Sequence, residues 1–345
     1  MSRCRATLLA PLLLVVVACG DDSSTGGGGA GGDASGGSPS SGGGGQASAG
    51  GAGGGGAGAG GEPSTGGSFE GVDPLAGASV PELIQGGFSF TEGTVFLPDL
   101  GVLRFSDIPA SEILELELAG DTISVWRPNS AATNGNALAP NGDLIMCEHQ
   151  GRRVSRSPAG APNPVTVADR YQSLRFNSPN DAIVRSDGTV YFTDPTYGLG
   201  GGTQEIQFQG VFRVTPAGDV TLVDDTFSQP NGIALSPDET KLYVSDSQAG
   251  GLFVYDVAPD GSTGPGSMLI DADPSDGMAV DDAGNLYLTT GAGIEVYDDT
   301  GVLWGVLAVP EQPANCAFGG PDRRTLFITA RTGLYRVELA VPGKP

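Results

Sequence analysis

Six side chains that carry an oxygen atom recur at regular intervals along this chain, each at the start of a short apolar stretch. The intervals between them are 42, 46, 51, 45 and 39 residues, and the six are Glu92, Asn134, Asn180, Asn231, Asp276 and Asn315. Carboxylate and amide oxygens are the ligands that hard divalent cations such as Ca²⁺ favour in proteins. If the fold brings these positions together, they form a candidate cation site.

A second run, rich in β-branched and aromatic residues, follows each of these positions after a turn-forming cluster such as Ser186-Asp187-Gly188. A repeat of about 45 residues that is built only of strands is typical of a β-propeller, with one blade for each repeat. The innermost strand of every blade begins beside the central axis, so the six positions are expected to converge. The sequence therefore predicts an all-β fold, a six-bladed β-propeller with a central metal site.

The last repeat ends on its third strand, near Leu339, one strand short of a complete blade. We expect residues 79–87, which precede the first repeat, to supply the missing outer strand. Such an exchange would close the ring and remove an exposed sheet edge.

Four of the six positions form the predicted metal site: Glu92, Asn180, Asn231 and Asp276. Two carboxylates and two amides leave coordination positions for water and for a substrate. Zinc prefers nitrogen and sulfur ligands, and the chain has one histidine. Ca²⁺ is therefore the expected ion, with other divalent cations possible, and the alternative is that these residue types only suit the turns before strands.

The first 77 residues are unlike the repeats. Residues 1–19 predict a bacterial signal peptide, with a positively charged start and an apolar run that ends at Cys19. This ending matches the lipobox of bacterial lipoproteins and predicts a lipid on Cys19, whereas an ordinary cleaved signal is the alternative. Residues 20–77, rich in Gly, Ser and Ala, predict a disordered tether, and residues 78–345 the propeller. We expect a periplasmic or outer-membrane lipoprotein that contacts the membrane only through its lipid.

The net charge of the chain argues against one class of partner. It carries 17 Lys and Arg residues against 40 Asp and Glu residues, a net charge of −23. Nucleic-acid affinity depends on neutralising phosphates with basic residues, so nucleic acid is not an expected partner. We expect a monomer. Cys147 and Cys316 are predicted to be buried free thiols, although an oxidising periplasm would permit a disulfide between them.

Several long motifs resemble the gluconolactonase and senescence-marker-protein (regucalcin) family. They are RFNSPNDAIVRSDGTVYFTDPTYGL at 175–199, QPNGIALSPDETKLYVSD at 229–246, SDGMAVDDAGNLYLT at 275–289, and the shorter FTEG at 90–93. The resemblance runs from about Phe90 to Leu339. It implies a six-bladed propeller that binds calcium or another divalent cation on its axis and hydrolyses a small-molecule sugar lactone. Position by position, it places metal ligands at Glu92, Asn231 and Asp276.

The predicted site also indicates a mechanism and roles for the surrounding residues. A bound cation would polarise the lactone carbonyl, and Asp276 would act as general base toward water or, alternatively, as a nucleophile. His149, the single histidine, could shuttle protons or serve only as a structural hydrogen-bonding residue. The predicted substrate-binding residues are Asn134, Arg175, Asn177, Asn180 and Tyr197. Substrate specificity is expected to depend on the rim loops at residues 97–101 and 198–209.

The sequence is also compatible with two other functions. The same site could hydrolyse a different ester or a phosphotriester, or the propeller could bind a ligand without catalysis, because a fold alone does not decide function. The nucleophile-elbow pattern GxSxG does not occur in the sequence, so a serine hydrolase of that type is not predicted.

Overall fold

The computed structural model describes residue 69 and residues 71–344. The predicted signal peptide, with Cys19, and the predicted tether as far as residue 68 lie outside the described residues. Lipid attachment and cellular location therefore stay predictions. None of the helices in the described part of the chain is both long enough and apolar enough to cross a membrane.

Strands make up almost all of the regular structure. The first, β1 (Glu82–Gly86), precedes the repeats. Blade 1 contains β2 (Thr91–Leu97), β3 (Val102–Asp107), β4 (Glu112–Glu117) and β5 (Thr122–Pro128). Blade 2 contains β6 (Thr133–Leu138), β7 (Asp143–Glu148), β8 (Arg153–Pro158) and β9 (Val165–Ala168). A short hairpin of β10 (Arg170–Tyr171) and β11 (Leu174–Arg175) leads to the next blade.

The remaining blades repeat the same order. Blade 3 contains β12 (Ala182–Val184), β13 (Val190–Asp194), β14 (Gly210–Val214) and β15 (Val220–Asp224), with a 3₁₀ helix (Tyr197–Leu199) after β13. Blade 4 contains β16 (Pro230–Leu235), β17 (Lys241–Asp246), β18 (Leu252–Asp256) and β19 (Ser267–Ile270). Blade 5 contains β20 (Ser275–Val280), β21 (Leu286–Thr290), β22 (Gly293–Tyr297) and β23 (Leu303–Leu307). Blade 6 contains β24 (Pro313–Gly319), β25 (Thr325–Ala330) and β26 (Gly333–Glu338).

The sixth blade is completed from the beginning of the folded region. β1 pairs antiparallel with β26, from Glu82 opposite Arg336 to Gly86 opposite Gly333, and becomes the outer strand of a four-stranded sheet. The prediction of a closed, six-bladed, all-β propeller is therefore confirmed. Its ring depends on contacts between residues about 250 positions apart, and closure protects the edge of the last blade.

The apolar core lies between neighbouring blades. In the cluster that joins blades 2 and 3, for example, the Phe176 ring packs edge-to-face against Phe192 and at a tilt against Phe212. The rings of Phe192 and Phe212 stack on each other. Cys147 belongs to this cluster and Cys316 to the one that joins blades 5 and 6. Both thiols are buried and free, as predicted.

The folded region begins before the predicted boundary at residue 78. Pro74 is buried, and its carbonyl oxygen accepts a hydrogen bond from the Ala340 amide at 3.2 Å. Leu75 packs against the cluster between blades 5 and 6. Leu75 therefore packs onto the propeller, although it lies in the stretch that was predicted to be tether.

Hydroxyl groups on the second strands tie one blade to the next. Ser106, Thr193 and Ser245 hold equivalent places, and each donates to the backbone oxygen of a residue that begins the following inner strand. Their acceptors are the oxygens of Asn134 at 2.7 Å, Asn231 at 2.8 Å and Asp276 at 3.0 Å. These bonds fix the height at which these three inner strands start, and therefore help to position the axial site.

Candidate active site

The inner strands start with irregular pairing. Register shifts interrupt the ladder between first and second strands in five blades, at Glu92/Val95, Thr133/Asn136, Pro230/Ile233, Ser275/Met278 and Pro313/Asn315. In blade 3 the corresponding residue, Asn180, stands just ahead of β12. A β-bulge re-aims the side chains beside it, and here it accompanies the side chains that approach the axis.

We call the six residues of these inner-strand starts the axial ring: Glu92, Asn134, Asn180, Asn231, Asp276 and Asn315. Asn134 Nδ2 donates to Asn180 Oδ1 at 2.6 Å, and Asn180 Nδ2 donates to Asn231 Oδ1 at 2.7 Å. Asp276 lies close enough to Glu92 for its charge to raise the pKa of the Glu92 carboxyl group. The structure thus brings together residues from different blades, including all four of the predicted metal ligands.

The two carboxyl groups of the ring perturb each other. Burial raises the pKa of Glu92 well above its usual value, and the nearby charges of Asp276 and Asp181 raise it further. Burial likewise raises the pKa of Asp276. Asp276 is nevertheless half-buried, whereas the other five side chains of the axial ring are buried. It is therefore the ring carboxylate that a molecule entering from solvent can reach.

Asp181 adds a third carboxylate at the axis, a buried one that our sequence reasoning missed. Burial raises its pKa to about 7. The sequence did contain a signal for this residue. The position directly after the ring residue is glycine in four of the six blades, as at Gly135 and Gly232, whereas in blade 3 it is Asp181. At Gly232 a Cβ atom would overlap the backbone oxygen of Asp276 in the next blade. In blade 3 this position is Asp181, so a carboxyl group lies at the axis where these other blades have glycine.

This donor set fits a hard divalent cation. No ion pair between residues 71 and 344 includes Glu92, Asp181 or Asp276, so these three carboxylates have no basic partner there. Asn136 adds to the excess of acceptors: its Nδ2 donates to the Gly93 oxygen at 2.8 Å, and its buried Oδ1 has no partner in the described structure. Buried negative charge of this kind is stabilised by a cation with oxygen ligands.

Amide oxygens are essential to such a site. Within the described residues, no group of three or more His, Cys, Asp or Glu side chains has an arrangement that could hold a metal ion. A cation at the axial ring would therefore depend on Asn180 and Asn231 as well as on the carboxylates of Glu92 and Asp276.

His149 directly follows β7 and lies beside the ring. Its Nε2 is 3.2 Å from Asn180 Oδ1 and 3.4 Å from Asn134 Nδ2. Burial lowers the pKa of this histidine to about 4, so it is neutral at physiological pH. Because Asn180 Oδ1 is an acceptor, the neutral ring donates to it from Nε2 and orients the amide.

The predicted substrate-binding residues lie on the same face but differ in exposure. Tyr197 is 46% exposed, and its hydroxyl hydrogen-bonds with Ser247 of the neighbouring blade. Arg175 is half-buried and donates from Nη2 to the Gly151 oxygen at 3.1 Å. Asn177 is buried, and its Nδ2 donates to the backbone oxygens of Asp194 at 3.0 Å and Phe208 at 2.9 Å. In this arrangement Asn177 holds the loop that carries Asn180.

The two rim loops do not share a face. The loop at 198–209 leaves β13 at the ring end of blade 3, as expected. The loop at 97–101 follows the far end of β2, whose other end carries Glu92. Our expectation that it borders the site is wrong, because a strand of seven residues places its ends on opposite faces of the propeller. This loop lines a groove with Glu239 and Lys344 instead.

A closed six-bladed propeller with carboxylate and amide side chains at its inner-strand starts belongs to a broad class of propellers with an axial site. Comparison with known proteins narrows this class. The family model of the SMP-30/Gluconolactonase/LRE-like region matches residues 90–332, and the chain belongs to this family. The resemblance seen in the sequence is thus confirmed, and the protein is an enzyme of the lactonase class.

Individual relatives agree with this assignment. The chain is 33% identical over 298 residues to a gluconolactonase of Zymomonas mobilis, covering 77% of this chain and 83% of the relative. The structure of a gluconolactonase from Xanthomonas campestris is similar, with a TM-score of 0.70, 29% identity and coverage of 76% and 95% of the two chains. A regucalcin from Agrobacterium tumefaciens, described as a calcium-binding protein, shares the fold, with a TM-score of 0.68, 21% identity and coverage of 77% and 95%.

Proposed function

We propose that this protein hydrolyses a sugar lactone such as glucono-1,5-lactone in a Ca²⁺-dependent reaction at the axial ring. The observation that carries the proposal is the position of Asp276, the half-buried carboxylate of the ring, beside the buried carboxyl group of Glu92. Membership of the family supports lactone hydrolysis. The calcium-binding description of the regucalcin neighbour supports the choice of ion.

Four side chains would hold the cation: Glu92, Asn180, Asn231 and Asp276. When bound, Ca²⁺ would act as a Lewis acid toward the lactone carbonyl oxygen. Its two positive charges would also compensate the buried carboxylates, which no basic side chain of the described residues pairs with.

Asp276 would act as the general base. A carboxylate oxygen can accept a proton from the attacking water if it lies within hydrogen-bonding distance of that water. The backbone oxygen of Asp276 accepts a hydrogen bond from the Ser245 hydroxyl at 3.0 Å, which fixes the start of the strand that carries this residue. Its side chain is the ring carboxylate that is reached from solvent, as a base that activates water requires.

His149 and Asn134 would orient rather than transfer protons. A proton shuttle works best when its pKa lies near the pH of the reaction, whereas burial lowers the pKa of His149 to about 4. Both side chains contact Asn180 Oδ1 and hold its amide plane. Tyr197 and Arg175, which lie at the mouth, would contact the sugar ring and its hydroxyl groups.

Hydrolysis in a pH-stat tests this proposal. The wild-type protein should hydrolyse glucono-1,5-lactone above the spontaneous rate, lose this activity in EDTA and regain it with added Ca²⁺. Asp276→Ala should lower kcat about 10²–10⁴-fold, as removal of a general base does. Asp99→Ala, in the loop on the opposite face, is the control and should retain full activity. Turnover that persists in EDTA or in Asp276→Ala would contradict the proposal.

We further propose that Cys19 carries the lipid that anchors the protein in the envelope. Support comes from the apolar run that ends at this cysteine and from the Gly-rich stretch after it. Metabolic labelling with a radioactive fatty acid should mark the full chain and leave Cys19→Ser unlabelled. Equal labelling of both proteins would exclude this site.

A further inference from the structure

Basic residues are scarce in this propeller, and most of them are paired. Residues 81–345 contain 15 Lys and Arg residues but 34 Asp and Glu residues. Eleven of the 15 form an ion pair in the described structure. The four that do not are Arg175, Arg213, Arg324 and Arg331. Acidic partners are abundant, so an unpaired arginine here needs its own explanation.

Three of these four bind backbone oxygen atoms. Arg213 donates to the Asp260 oxygen, Arg324 to the Ala340 oxygen and Arg175 to the Gly151 oxygen. Arg331 differs, because within residues 71–344 its guanidinium donates to a single group, the exposed Gln312 side chain, from Nη2 to Oε1 at 2.6 Å. Gln312 is neutral and leaves the charge of Arg331 uncompensated.

The backbone of Arg331 is fixed next to the axial ring. Its carbonyl oxygen accepts a hydrogen bond from the Thr91 amide at 2.8 Å, and Thr91 directly precedes Glu92. The guanidinium carbon lies 5.9 Å from the centre of the Phe90 ring, within the range of a cation–π contact. The side chain is exposed. Arg331 therefore stands at the mouth of the site, between blades 6 and 1.

No ion pair among residues 71–344 includes Arg331, so its charge is available to a ligand at the rim. A ligand at this mouth thus meets buried carboxylates on the axis and a free guanidinium at the rim. Such an arrangement favours a molecule that places its reacting carbonyl at the axis and a negative group toward blade 6.

We propose that Arg331 recognises an anionic substituent of the lactone, so that the preferred substrate carries a carboxylate, sulfonate or phosphate away from its reacting ester. This inference rests on the proposed lactonase function and adds the substrate class. An acid-rich protein repels anions at a distance, and a guanidinium that binds an anion bidentately at the rim offsets this repulsion. Arg331 is a specificity residue, since it lies at the rim and takes no part in bond breaking.

Paired substrates test the inference on the full chain. Hydrolysis of neutral glucono-1,5-lactone is compared with that of D-glucaro-1,4-lactone, which carries a carboxylate, and of 6-phosphoglucono-1,5-lactone. Arg331→Gln should raise KM for the anionic lactones about tenfold, with kcat nearly unchanged and the neutral lactone unaffected. Arg331→Lys keeps the charge and should recover part of the loss. Arg213→Gln, also unpaired but bound to the Asp260 loop, is the matched control and should match wild type.

The possible failures are distinguishable. If the wild type hydrolyses the neutral lactone but Arg331→Gln changes KM equally for neutral and anionic substrates, the inference is wrong and the lactonase proposal stands. If the wild type prefers the neutral lactone and salt does not change that ratio, the inference is also wrong. If the wild type hydrolyses no lactone, the proposed function itself fails. A larger effect with the carboxylate or with the phosphate identifies which anion is bound.

Discussion

Asn180 Nδ2 donates to Asn231 Oδ1 at 2.7 Å, across 51 residues of sequence and the boundary between blades 3 and 4. At the same time Asn180 Oδ1 accepts from Asn134 Nδ2 at 2.6 Å. One amide therefore links three blades at the axis. A side chain with both a donor and an acceptor is required for this link, which a carboxylate of the same shape does not provide at neutral pH.

Asn180→Asp should make the protein more dependent on its cation. The variant loses the bond donated to Asn231 and adds a third charge to the two carboxylates of the ring, so in EDTA we expect it to be about 1–3 kcal/mol less stable than wild type. The added carboxylate should bind Ca²⁺ more tightly. Thermal unfolding with EDTA and with Ca²⁺ measures both effects. Asn163→Asp, at an exposed position, should behave as wild type, and an equal Ca²⁺-induced shift in all three proteins would contradict a cation site at the ring.

Gly232→Ala tests the close contact between blades 4 and 5. A Cβ atom at this position would overlap the backbone oxygen of Asp276, and neither strand can move without shifting the ring. We expect a loss of about 1–3 kcal/mol in the free energy of unfolding in urea, and a fall in activity because Asp276 is displaced. Gly160→Ala is the matched control, since nothing lies within 4 Å of its Cβ position. Equal stability of the two variants would show that the blades tolerate separation here.

Asp194 should make stability fall with increasing pH. Its Oδ2 accepts from the Asn177 amide at 2.7 Å, but its buried Oδ1 has no partner in the described structure, and burial raises its pKa to about 8. The folded state thus holds this proton more tightly than the unfolded state, whose Asp pKa is about 3.9. Its stabilising contribution is complete below about pH 4 and is lost as the pH rises toward 8.

Asp194→Asn removes this titration and keeps the shape. The amide oxygen of the variant can accept from the Asn177 backbone amide, and the neutral side chain leaves no buried charge at high pH. Urea unfolding between pH 5 and 9 should therefore show a flatter pH dependence than wild type, with the variant the more stable of the two by about 1–3 kcal/mol at pH 9. Asp99→Asn, which is exposed, should follow the wild-type curve. Parallel curves for wild type and Asp194→Asn would refute the prediction.

Two variants of Tyr197 separate its ring from its hydroxyl. If the exposed ring stacks on the sugar, Tyr197→Phe should change KM less than about threefold, while Tyr197→Ala should raise it about tenfold. If the hydroxyl bond to Ser247 instead holds the loop over the site, the two variants should be affected equally. Steady-state kinetics on glucono-1,5-lactone decides between these outcomes. Tyr197 then counts as a substrate contact only in the first case.

Much of the architecture follows from the order of residues alone. The repeat near 45 residues, the second-strand runs and the unfinished last repeat predicted six blades and the use of β1 as an outer strand. Glu92, Asn180, Asn231 and Asp276 could be selected because each opens a repeat, and repetition forces equivalent positions to meet at the axis of a closed ring. Local pattern and topology were sufficient for these predictions.

Other features were decided only by the tertiary structure. The sequence marks Asp181 merely as an exception to a glycine position, and its burial at the axis depends on how closely neighbouring blades approach. The loop at 97–101 proved to lie on the face opposite the ring, and Arg331 reaches the mouth because blade 6 closes against blade 1. A sequence records which residues repeat, whereas distances between side chains of different blades arise only when the ring closes and burial removes water from around their charges.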